Sequence, residues 1–196
     1  MTEGRAPTYR IRQARPDELH LLAAIDIAAD RRFEATPYAA AVDTYAPVQV
    51  DDLVAMQDAW RLWVATDGDG APVAFAHTQT DSDTVLHLAQ VSVHPDHAGH
   101  RLTDGFLKAL IRYHQGRGIA EITLTTFRDV PWNAPYYARL GFVEISDAEA
   151  DADPHLGPRL VDQVAHGLPR ESRVAMRRHL GSDAVRRCTV DIPSSP

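Results

Sequence analysis

Apolar and polar residues alternate over some stretches of this chain and recur at helical spacing over others, which predicts a mixture of strands and helices. Residues 8–14, "TYRIRQA", alternate as a first strand would. A helix is predicted directly afterwards, because Pro16 suits a first helical turn. Its apolar stripe is formed by Leu19, Leu22, Ile25 and Ala29. Residues 34–50 contain prolines and predict a loop or broken helix, and residues 51–60 predict a short helix.

The middle of the chain predicts a hairpin and then a strand–helix–strand unit. The segments "RLWVAT" and "PVAFAHTQ" flank the turn-rich sequence "DGDGA", as the strands of a hairpin would. Residues 84–93 and 120–127 predict two further strands, and a helix lies between them. The apolar positions of that helix are Leu102, Phe106, Leu110 and Tyr113. Later elements are a short helix and strand within residues 128–145, a helix within 151–168 and a last strand at 171–180.

These elements predict an α/β or α+β fold on a partly parallel sheet, because a strand–helix–strand unit usually joins parallel neighbours. A chain of 196 residues, 44% of them hydrophobic, suits one well-packed domain. We assign that domain to residues 1–180. Residues 181–196 are polar and contain proline, and they predict a mobile C-terminal tail.

Composition narrows the classes of function. A net charge of −7 disfavours a general nucleic-acid binder, which needs a basic face, and fits a cationic or neutral small substrate better. The single cysteine, Cys188, cannot form an internal disulfide and is interpreted as an incidental thiol. The sequence shows neither a signal-peptide core nor an apolar stretch of membrane-spanning length. We therefore expect a soluble cytoplasmic protein with no membrane or nucleic-acid partner.

Residues 91–110, "VSVHPDHAGHRLTDGFLKAL", run from a strand through a break into a helix. The start of a helix directs free N–H groups and the positive end of the peptide dipoles outward, which suits a phosphate. Glycine would allow the closest backbone approach there. Arg101, Thr103 and Asp104 stand at this start instead. The sequence therefore predicts the geometry of a phosphate site with altered chemistry.

This strand ending, "VSVHP", is followed one helix and one strand later by "NAPYYARLGF". Together the two landmarks resemble the GCN5-related N-acetyltransferase (GNAT) superfamily, whose members transfer an acetyl group from acetyl-coenzyme A (acetyl-CoA) to an amine. The similarity is clearest over residues 87–145. It implies a GNAT-like fold, with a strongly twisted, mixed central sheet of about six to seven strands flanked by helices.

The resemblance implies where acetyl-CoA binds. In the family, the positions of Ala98, Arg101 and Thr103 usually hold glutamine or arginine, glycine, and glycine or alanine. Two alternatives follow for Arg101 and Thr103 here. Either they take ordinary helical dihedrals and the phosphate binds slightly farther from the backbone, or their side chains block the phosphate. Asp104 would repel a phosphate, whereas Arg101 could pair with one. The implied cofactor-binding residues are Val91, Val93, Ala98, Gly99, His100, Arg101, Leu102, Thr103, Asn133 and Tyr136.

The same resemblance puts Tyr137 at the position of the general acid that protonates the departing coenzyme A thiolate. A phenol can serve there, since the donor is needed only as the thiolate leaves. Tyr136 and Tyr137 can alternatively be structural aromatics, and Tyr136 points about 100° away from Tyr137 on a helix.

A protonated amine cannot attack a thioester, so the reaction also needs a base. Relatives commonly carry a glutamate at the position of Gln90, but glutamine cannot accept a proton near neutral pH. His87 is expected on the strand face opposite Gln90, and His77 lies on the preceding strand. Either histidine could act as the base, or it could have a structural role and form hydrogen bonds with a neighbour or with solvent. An enzyme can also bind the neutral fraction of its amine and then needs no base. The candidate catalytic residues are Tyr137, His87 and Gln90.

Other polar groups have both a functional and a structural interpretation. His94, His97 and His100 are spaced three apart but span a strand end and a turn, so no metal site is expected. A loop after a predicted strand carries Arg128, Asp129 and Trp132, which either line an acceptor pocket or form a local ion pair and anchor. The first helix and its end carry Asp26, Asp30 and Glu34 at four-residue spacing. This stripe could face a cationic substrate, although a solvated helix face is the simpler interpretation.

Three hypotheses for function follow. The first is an N-acetyltransferase that moves the acetyl group of acetyl-CoA to a primary amine of a small molecule. The second is a GNAT fold whose degenerate coenzyme site now serves acetyl-CoA-independent chemistry in small-molecule biosynthesis. The third is a non-catalytic binding module. The sequence leaves a homodimer open.

Overall fold

The computed structural model describes residues 8–44 and 48–181, so Cys188 and nearly all of the predicted tail lie outside the described residues. The described chain forms a seven-stranded sheet in the order β1-β2-β3-β4-β5-β7-β6. The strands are β1 (Arg10–Gln13), β2 (Leu62–Thr66), β3 (Pro72–Thr80), β4 (Val85–Val93), β5 (Glu121–Phe127), β6 (Val143–Glu144) and β7 (Arg173–His179). β4 and β5 are parallel and the other neighbours are antiparallel. The predicted mixed sheet flanked by helices is confirmed.

Seven α-helices lie in the described segments. They are α1 (Leu19–Asp30), α2 (Ala39–Thr44), α3 (Val50–Asp58), α4 (Leu102–His114), α5 (Ala134–Arg139), α6 (Asp147–Ala152) and α7 (Leu156–Ala165). α2 falls within the segment predicted as a loop or broken helix. The helix predicted within residues 151–168 is α7, and α6 precedes it. Within the described part of the chain, none of the helices combines the length and apolar character that crossing a membrane requires.

Two apolar layers hold the sheet between helices. α4 packs on one face through Phe106, Leu107 and Leu110, all fully buried against sheet residues such as Leu86 and Ile122. α1 and α3 cover the other face, where Leu22 and Leu53 pack on Phe75. Burying each such side chain contributes roughly 1.5–3 kcal/mol to folding, so the three helices are fixed against the sheet.

β4 and β5 separate after a short ladder. In the described segments they pair from Val85 and Glu121 to His87 and Thr123, and from there β5 continues to pair with β7 alone. Backbone groups of β4 beyond this ladder therefore border a wedge-shaped gap in the sheet. This gap and the start of α4, which follows β4 directly, position the candidate site.

A bulge in β4 changes which side chains share a face. His77 pairs with Gln90, but Thr78 pairs with Leu88, so Ala89 is an extra residue in β4. Two residues on one strand then oppose one on its partner, which interrupts the regular alternation. His87 and Gln90 consequently lie on the same sheet face, and the expectation that they face opposite sides was wrong.

Candidate active site

Three adjoining cavities surround the gap between β4 and β5. The first, called the cleft, has a volume of about 200 Å³ and runs along β4 toward β5. Its walls include Asp30, Gln90, Val91, Val93, Thr103, Trp132, Asn133, Tyr137 and Arg173.

The second cavity, called the arginine groove, has a volume of about 270 Å³. Its walls include Arg32, His97, Ala98, Gly99, Arg101, Leu102, Tyr136 and Arg139. Val93, Thr103, Arg32 and Trp132 line both the groove and the cleft. The two cavities therefore adjoin, and together they extend from the start of α4 to Tyr137; the pair is called the channel.

The third, called the side cavity, has a volume of about 410 Å³. It is lined by Asp26, Asp30, Phe33, Val42, Val48, Ala89, Gln90, Phe127, Gln163, Leu168 and Arg173. Six of these residues also line the cleft, so the side cavity adjoins the cleft.

Arg101 adopts a left-handed conformation, with φ 57° and ψ 31°, immediately before α4. The alternative of ordinary helical dihedrals was therefore wrong for Arg101, whose side chain lines the groove. Gly99 also has a positive φ, of 82°. A left-handed arginine costs about 1–2 kcal/mol relative to an ordinary conformation, so the turn is held by its surroundings. The chain thus makes a backbone turn of the glycine type while adding a cation.

The arginine groove is suited to an anion. Arg32, Arg101 and Arg139 converge on it together with His97 and the first turn of α4. The carboxylate of Asp104, expected to repel an anion, accepts a hydrogen bond from Lys108 Nζ at 2.8 Å and is thereby partly neutralised. Guanidinium groups and helix N-termini both favour phosphate oxygens.

Tyr137 lies on α5, where the cleft meets the apolar core. Its ring packs edge-on to Phe142, with 5.6 Å between the ring centroids. Burial, with a smaller contribution from Tyr136, raises the pKa of the Tyr137 phenol well above its ordinary range. The phenol therefore stays protonated at any working pH and is a permanent hydrogen-bond donor.

Most of the predicted cofactor residues lie along the channel. Asn133 lines the cleft and donates a 2.8 Å hydrogen bond from Nδ2 to Thr126 Oγ1. Tyr136 lines the groove, and its ring lies 5.4 Å from the guanidinium carbon of Arg139. The others that line the channel are Val91, Val93, Ala98, Gly99, Arg101, Leu102 and Thr103. His100 instead packs against the ring of Tyr9, at 5.3 Å between centroids.

Gln90 organises a buried carboxylate. Its Nε2 donates to Asp26 Oδ1 at 2.6 Å and to Ser92 Oγ at 3.1 Å. Ser92 Oγ donates to the same carboxylate oxygen at 2.8 Å, and the Val48 backbone N–H donates to Asp26 Oδ2 at 3.1 Å. Asp26 is 5% exposed, so the interpretation of its helix face as solvated was wrong. Gln90 acts on Asp26 by donating hydrogen bonds.

Asp30 is half-buried where the cleft meets the side cavity. Burial, followed by the negative charges of Asp26 and Asp43, raises the pKa of its carboxyl from 3.8 to about 6. At neutral pH the ionised form still prevails, yet it binds a proton more readily than an exposed aspartate does. A carboxylate with this pKa can take a proton from a bound ammonium group. Glu34, the third member of the stripe, is exposed.

An Asp30→Asn variant is expected to be more stable than the native protein at pH 7.5, by about 1 kcal/mol after allowing for solvent screening. The folded protein binds this proton more tightly than the unfolded chain, so ionised Asp30 destabilises the fold above pH 6. That penalty decreases as the pH falls through 6 and disappears below about 3.8. Urea unfolding at pH 7.5 and pH 4 measures it. A variant less stable than the native protein at pH 7.5 would contradict the assigned environment.

The two candidate histidine bases lie apart from the cavities described above. His87 is 2% exposed, and its Nδ1 lies 3.0 Å from Thr123 Oγ1. Burial, followed by the positive charge of Arg159 and then His77, lowers the pKa of His87 to about 3. Burial, followed by the charge of Arg61, lowers the pKa of His77 to about 4. Both imidazoles are neutral at physiological pH and belong to the sheet interior.

The remaining polar groups divide between local structure and the channel. Arg128 forms ion pairs with Glu144 at 3.1 Å and Asp147 at 2.9 Å, which supports the local interpretation. Asp129 accepts a hydrogen bond from the Tyr38 hydroxyl at 2.8 Å. Trp132 lines both cleft and groove, and the Arg32 guanidinium lies 4.7 Å from its ring centroid.

The three neighbouring histidines make separate contacts. His97 Nδ1 lies 3.0 Å from the Tyr9 hydroxyl, and His94 Nδ1 accepts a hydrogen bond from the Asp96 backbone N–H at 3.3 Å. His100 packs on Tyr9, as described above. Among the residues the structure describes, no three histidine, cysteine or acidic side chains are grouped closely enough to hold a metal ion.

The fold has close counterparts among solved structures. The N-acetylglutamate synthase of Neisseria gonorrhoeae, solved with coenzyme A and N-acetyl-glutamate, is similar with a TM-score of 0.65 and 18% identity. The similarity covers 89% of this chain and 35% of the synthase, so this chain spans about a third of that protein.

Two other similar structures match over nearly their full length. The PaiA N-acetyltransferase of Thermoplasma acidophilum, solved with coenzyme A, has a TM-score of 0.63 and 13% identity, over 88% of this chain and 99% of its own. The ribosomal-protein-S18-alanine N-acetyltransferase of Escherichia coli has a TM-score of 0.58 and 20% identity, over 90% and 98%. At these identities the likeness establishes the fold and leaves the substrate open.

A sequence model of the acetyltransferase (GNAT) family matches residues 21–142, which is more than half of the chain. The matched segment includes most of α1, the divergence of β4 from β5, the left-handed turn at Arg101 and Tyr137. The protein therefore belongs to the GNAT family of acetyltransferases.

Proposed function

We propose that this protein is an N-acetyltransferase that moves the acetyl group of acetyl-CoA to a primary amine of a small molecule. The observation that carries the proposal is the pair of adjoining cavities that extend from the arginine groove, along the diverging edge of β4, to Tyr137 and Asp30. One end suits an anion and the other end holds an acid and a base. Two solved relatives of the same fold contain coenzyme A, which supports coenzyme A as the carrier of the acyl group.

The residues of the channel fit the parts of acetyl-CoA. Arg32, Arg101 and Arg139 with the start of α4 would hold the diphosphate. The β4 backbone beyond the ladder with β5 has edge groups available for the amides of the pantetheine arm. Asn133 lies along the same stretch. When bound, acetyl-CoA supplies an acetyl group activated as a thioester.

The side chains at the inner end account for the proton transfers. Asp30 takes a proton from the ammonium form of the acceptor, which leaves a neutral nitrogen able to attack the acetyl carbonyl. The new bond joins that nitrogen to the acetyl carbon, and the bond from carbon to sulfur breaks. Tyr137 donates its hydrogen bond, and then its proton, to the departing sulfur, and the second proton that the acetylated nitrogen releases restores the phenol. Gln90 and Ser92 keep Asp26 in place beside Asp30.

The proposal is tested by mixing the protein with acetyl-CoA and a panel of small primary amines, and by following release of free thiol. We expect amine-dependent thiol release and a product that has gained one acetyl group by mass spectrometry. The same assay without amine gives the background rate of thioester hydrolysis. Release that never exceeds this background, with any amine, would refute the proposal.

Arg101→Gly and Arg101→Asn are each expected to raise the Kd of coenzyme A about tenfold to a hundredfold, because a charge-assisted hydrogen bond contributes about 1.5–3 kcal/mol. Glycine and asparagine both tolerate the left-handed conformation, so neither variant should lose stability. Isothermal titration gives the Kd, and urea unfolding checks the stability. Tighter binding by both variants would instead identify the Arg101 side chain as an obstruction.

A further inference from the structure

Five polar side chains line the side cavity, and four of them are bonded within the protein. Gln90 Nε2 donates to Asp26 Oδ1 at 2.6 Å. Gln163 Nε2 donates to Thr125 Oγ1 at 2.7 Å, and Gln163 Oε1 accepts from Arg173 Nε at 2.9 Å. The guanidinium of Arg173 also stacks on an aromatic ring and makes a further interaction. These four side chains therefore belong to the wall of the cavity.

Asp30 is the fifth polar side chain, and it differs from the others. It is half-buried where the side cavity adjoins the cleft. Among the residues that the structure describes, it accepts no hydrogen bond and has no ion-pair partner, and the charges that act on it are those of Asp26 and Asp43. A carboxylate partly withdrawn from water without a partner is unfavourable, so a cationic group of a ligand would stabilise it.

The rest of the cavity wall is largely apolar. Val42, Phe127 and Leu168 are buried in one cluster, and Phe33 packs against them with 5.2 Å between its ring centroid and that of Phe127. All four line the side cavity together with Val48. Its volume of about 410 Å³ lies within the roughly 300–1,000 Å³ of small-molecule pockets. A hydrocarbon group that covers this wall releases water from apolar surface on both sides.

From this arrangement we infer that the acceptor is a primary amine with a single charge and an apolar body. Its ammonium group meets Asp30, and its hydrocarbon chain or ring lies against Val42, Phe127 and Leu168. The inference rests on the proposed acetyl transfer and names the class of acceptor.

A second charged group on the acceptor would be unfavourable, whichever its sign. A carboxylate would bring negative charge into a cavity that Asp26 and Asp30 already line, and the guanidinium of Arg173 is engaged within the wall. A second ammonium group would leave water for apolar surface without a carboxylate to receive it. The cavity therefore discriminates against amino acids and diamines as well as accepting apolar amines.

The test compares matched acceptors in the thiol-release assay. Hexylamine, 6-aminohexanoate and 1,6-diaminohexane share one chain length and one primary amine, and they differ only at the far end of the chain. Leucine and 3-methylbutylamine differ only in the carboxylate beside the amine. We expect kcat/KM for each monoamine to exceed that of its charged counterparts by about tenfold to a hundredfold, because burying an unpaired charge is costly.

Chain length gives a second measurement on the native enzyme. From ethylamine to hexylamine, kcat/KM should rise by about fourfold for each added methylene group until the apolar wall is covered, the factor expected when one such group is buried. A series that is flat from ethylamine to hexylamine would overturn the apolar acceptor.

A variant assigns the preference to the cavity wall. Val42→Thr keeps the shape of the side chain and makes it polar, and it should lower the ratio of kcat/KM for hexylamine to that for ethylamine by about threefold to tenfold. Val143→Thr is the matched control, since Val143 is 58% exposed on β6 and outside the three cavities. It should keep the native ratio. Because Val42 is buried, thermal unfolding checks that its variant is folded, and the comparisons on the native enzyme stand even if it is not.

The outcomes separate this inference from the proposed function. Turnover of leucine, 6-aminohexanoate or 1,6-diaminohexane as fast as the matched monoamine would overturn the singly charged acceptor and leave acetyl transfer intact. A native ratio of hexylamine to ethylamine in folded Val42→Thr would overturn the assigned wall. Absence of amine-dependent thiol release with these acceptors and with the wider amine panel would refute acetyl transfer, and this inference with it.

Discussion

A Tyr137→Phe variant is expected to lose about a hundredfold to ten-thousandfold in kcat, the range associated with loss of a general acid. The phenol lies in the cleft, and burial keeps it protonated, so the native enzyme always has a donor for the sulfur as negative charge develops there. Phenylalanine keeps the ring that packs on Phe142. The Kd of coenzyme A should therefore change little, and steady-state kinetics with a binding titration separates the two effects.

Tyr113→Phe is the matched control. Tyr113 lies on α4 and packs edge-on to Trp63, with 5.3 Å between the ring centroids, on a different part of the molecule from the cleft. Loss of its hydroxyl should leave kcat unchanged. Equal kcat for Tyr137→Phe and the native enzyme would remove the phenol from the mechanism and make Tyr137 a structural aromatic.

Asp30→Asn is expected to lower kcat/KM by a similar factor, about a hundredfold to ten-thousandfold, because an amide cannot accept the proton of the acceptor ammonium. The native enzyme should lose activity as the pH falls below about 6, where Asp30 becomes protonated. The variant should lack the inflection near pH 6, and its residual kcat/KM should decline steadily with falling pH in proportion to the small neutral fraction of the amine. A pH series of kcat/KM measures both.

The control for this experiment is Glu34→Gln, which removes an exposed carboxylate from the same four-residue stripe and should leave the profile unchanged. The combination expected for Asp30→Asn is greater stability with lower activity, as is common where a buried charge serves catalysis. An inflection near pH 6 that persists in Asp30→Asn would show that another group is the base.

Patterns local in sequence predicted most of the fold. The hairpin around "DGDGA" and the apolar stripe of α4 each depend on residues close together in the chain, so period and turn chemistry were sufficient. The bulge at Ala89 was not predictable in this way, because it appears only in the pairing of β3 with β4. It brought His87 and Gln90 to one face.

Only part of the candidate site could be predicted, because some of it depends on contacts between segments that are distant in the sequence. The family landmarks located Tyr137, whose role stays a prediction, but the base depended on contacts between distant segments. Asp26 bonds to Gln90 and Ser92, more than sixty positions away in the chain. The sequence did contain a sign that Asp26 is buried. Asp26 lies four residues after Leu22 and directly after Ile25, so it falls within the buried stripe of α1. A charged residue within a buried stripe indicates that another side chain or a backbone group forms hydrogen bonds with it.

Arg101 is a case in which the sequence suggested that the glycine-type turn before α4 had been lost. The structure retains that turn. A non-glycine residue seldom has positive φ, so the substitution predicted either a helical turn or an obstruction. The left-handed turn persists with a cation added to the groove. This residue type is compatible with the turn because the surrounding structure determines the backbone, which sequence alone does not reveal.

Thermal unfolding with and without acetyl-CoA tests most directly whether the channel binds the coenzyme. At a hundred times its Kd, a bound ligand adds about 2.7 kcal/mol to the free energy of unfolding, which raises the Tm by roughly 5–10 °C for a domain of this size. We predict such a rise for the native protein and a smaller one for Arg101→Asn at the same concentration. An unchanged Tm at millimolar acetyl-CoA would contradict the assignment of the channel and the acyl transfer that depends on it.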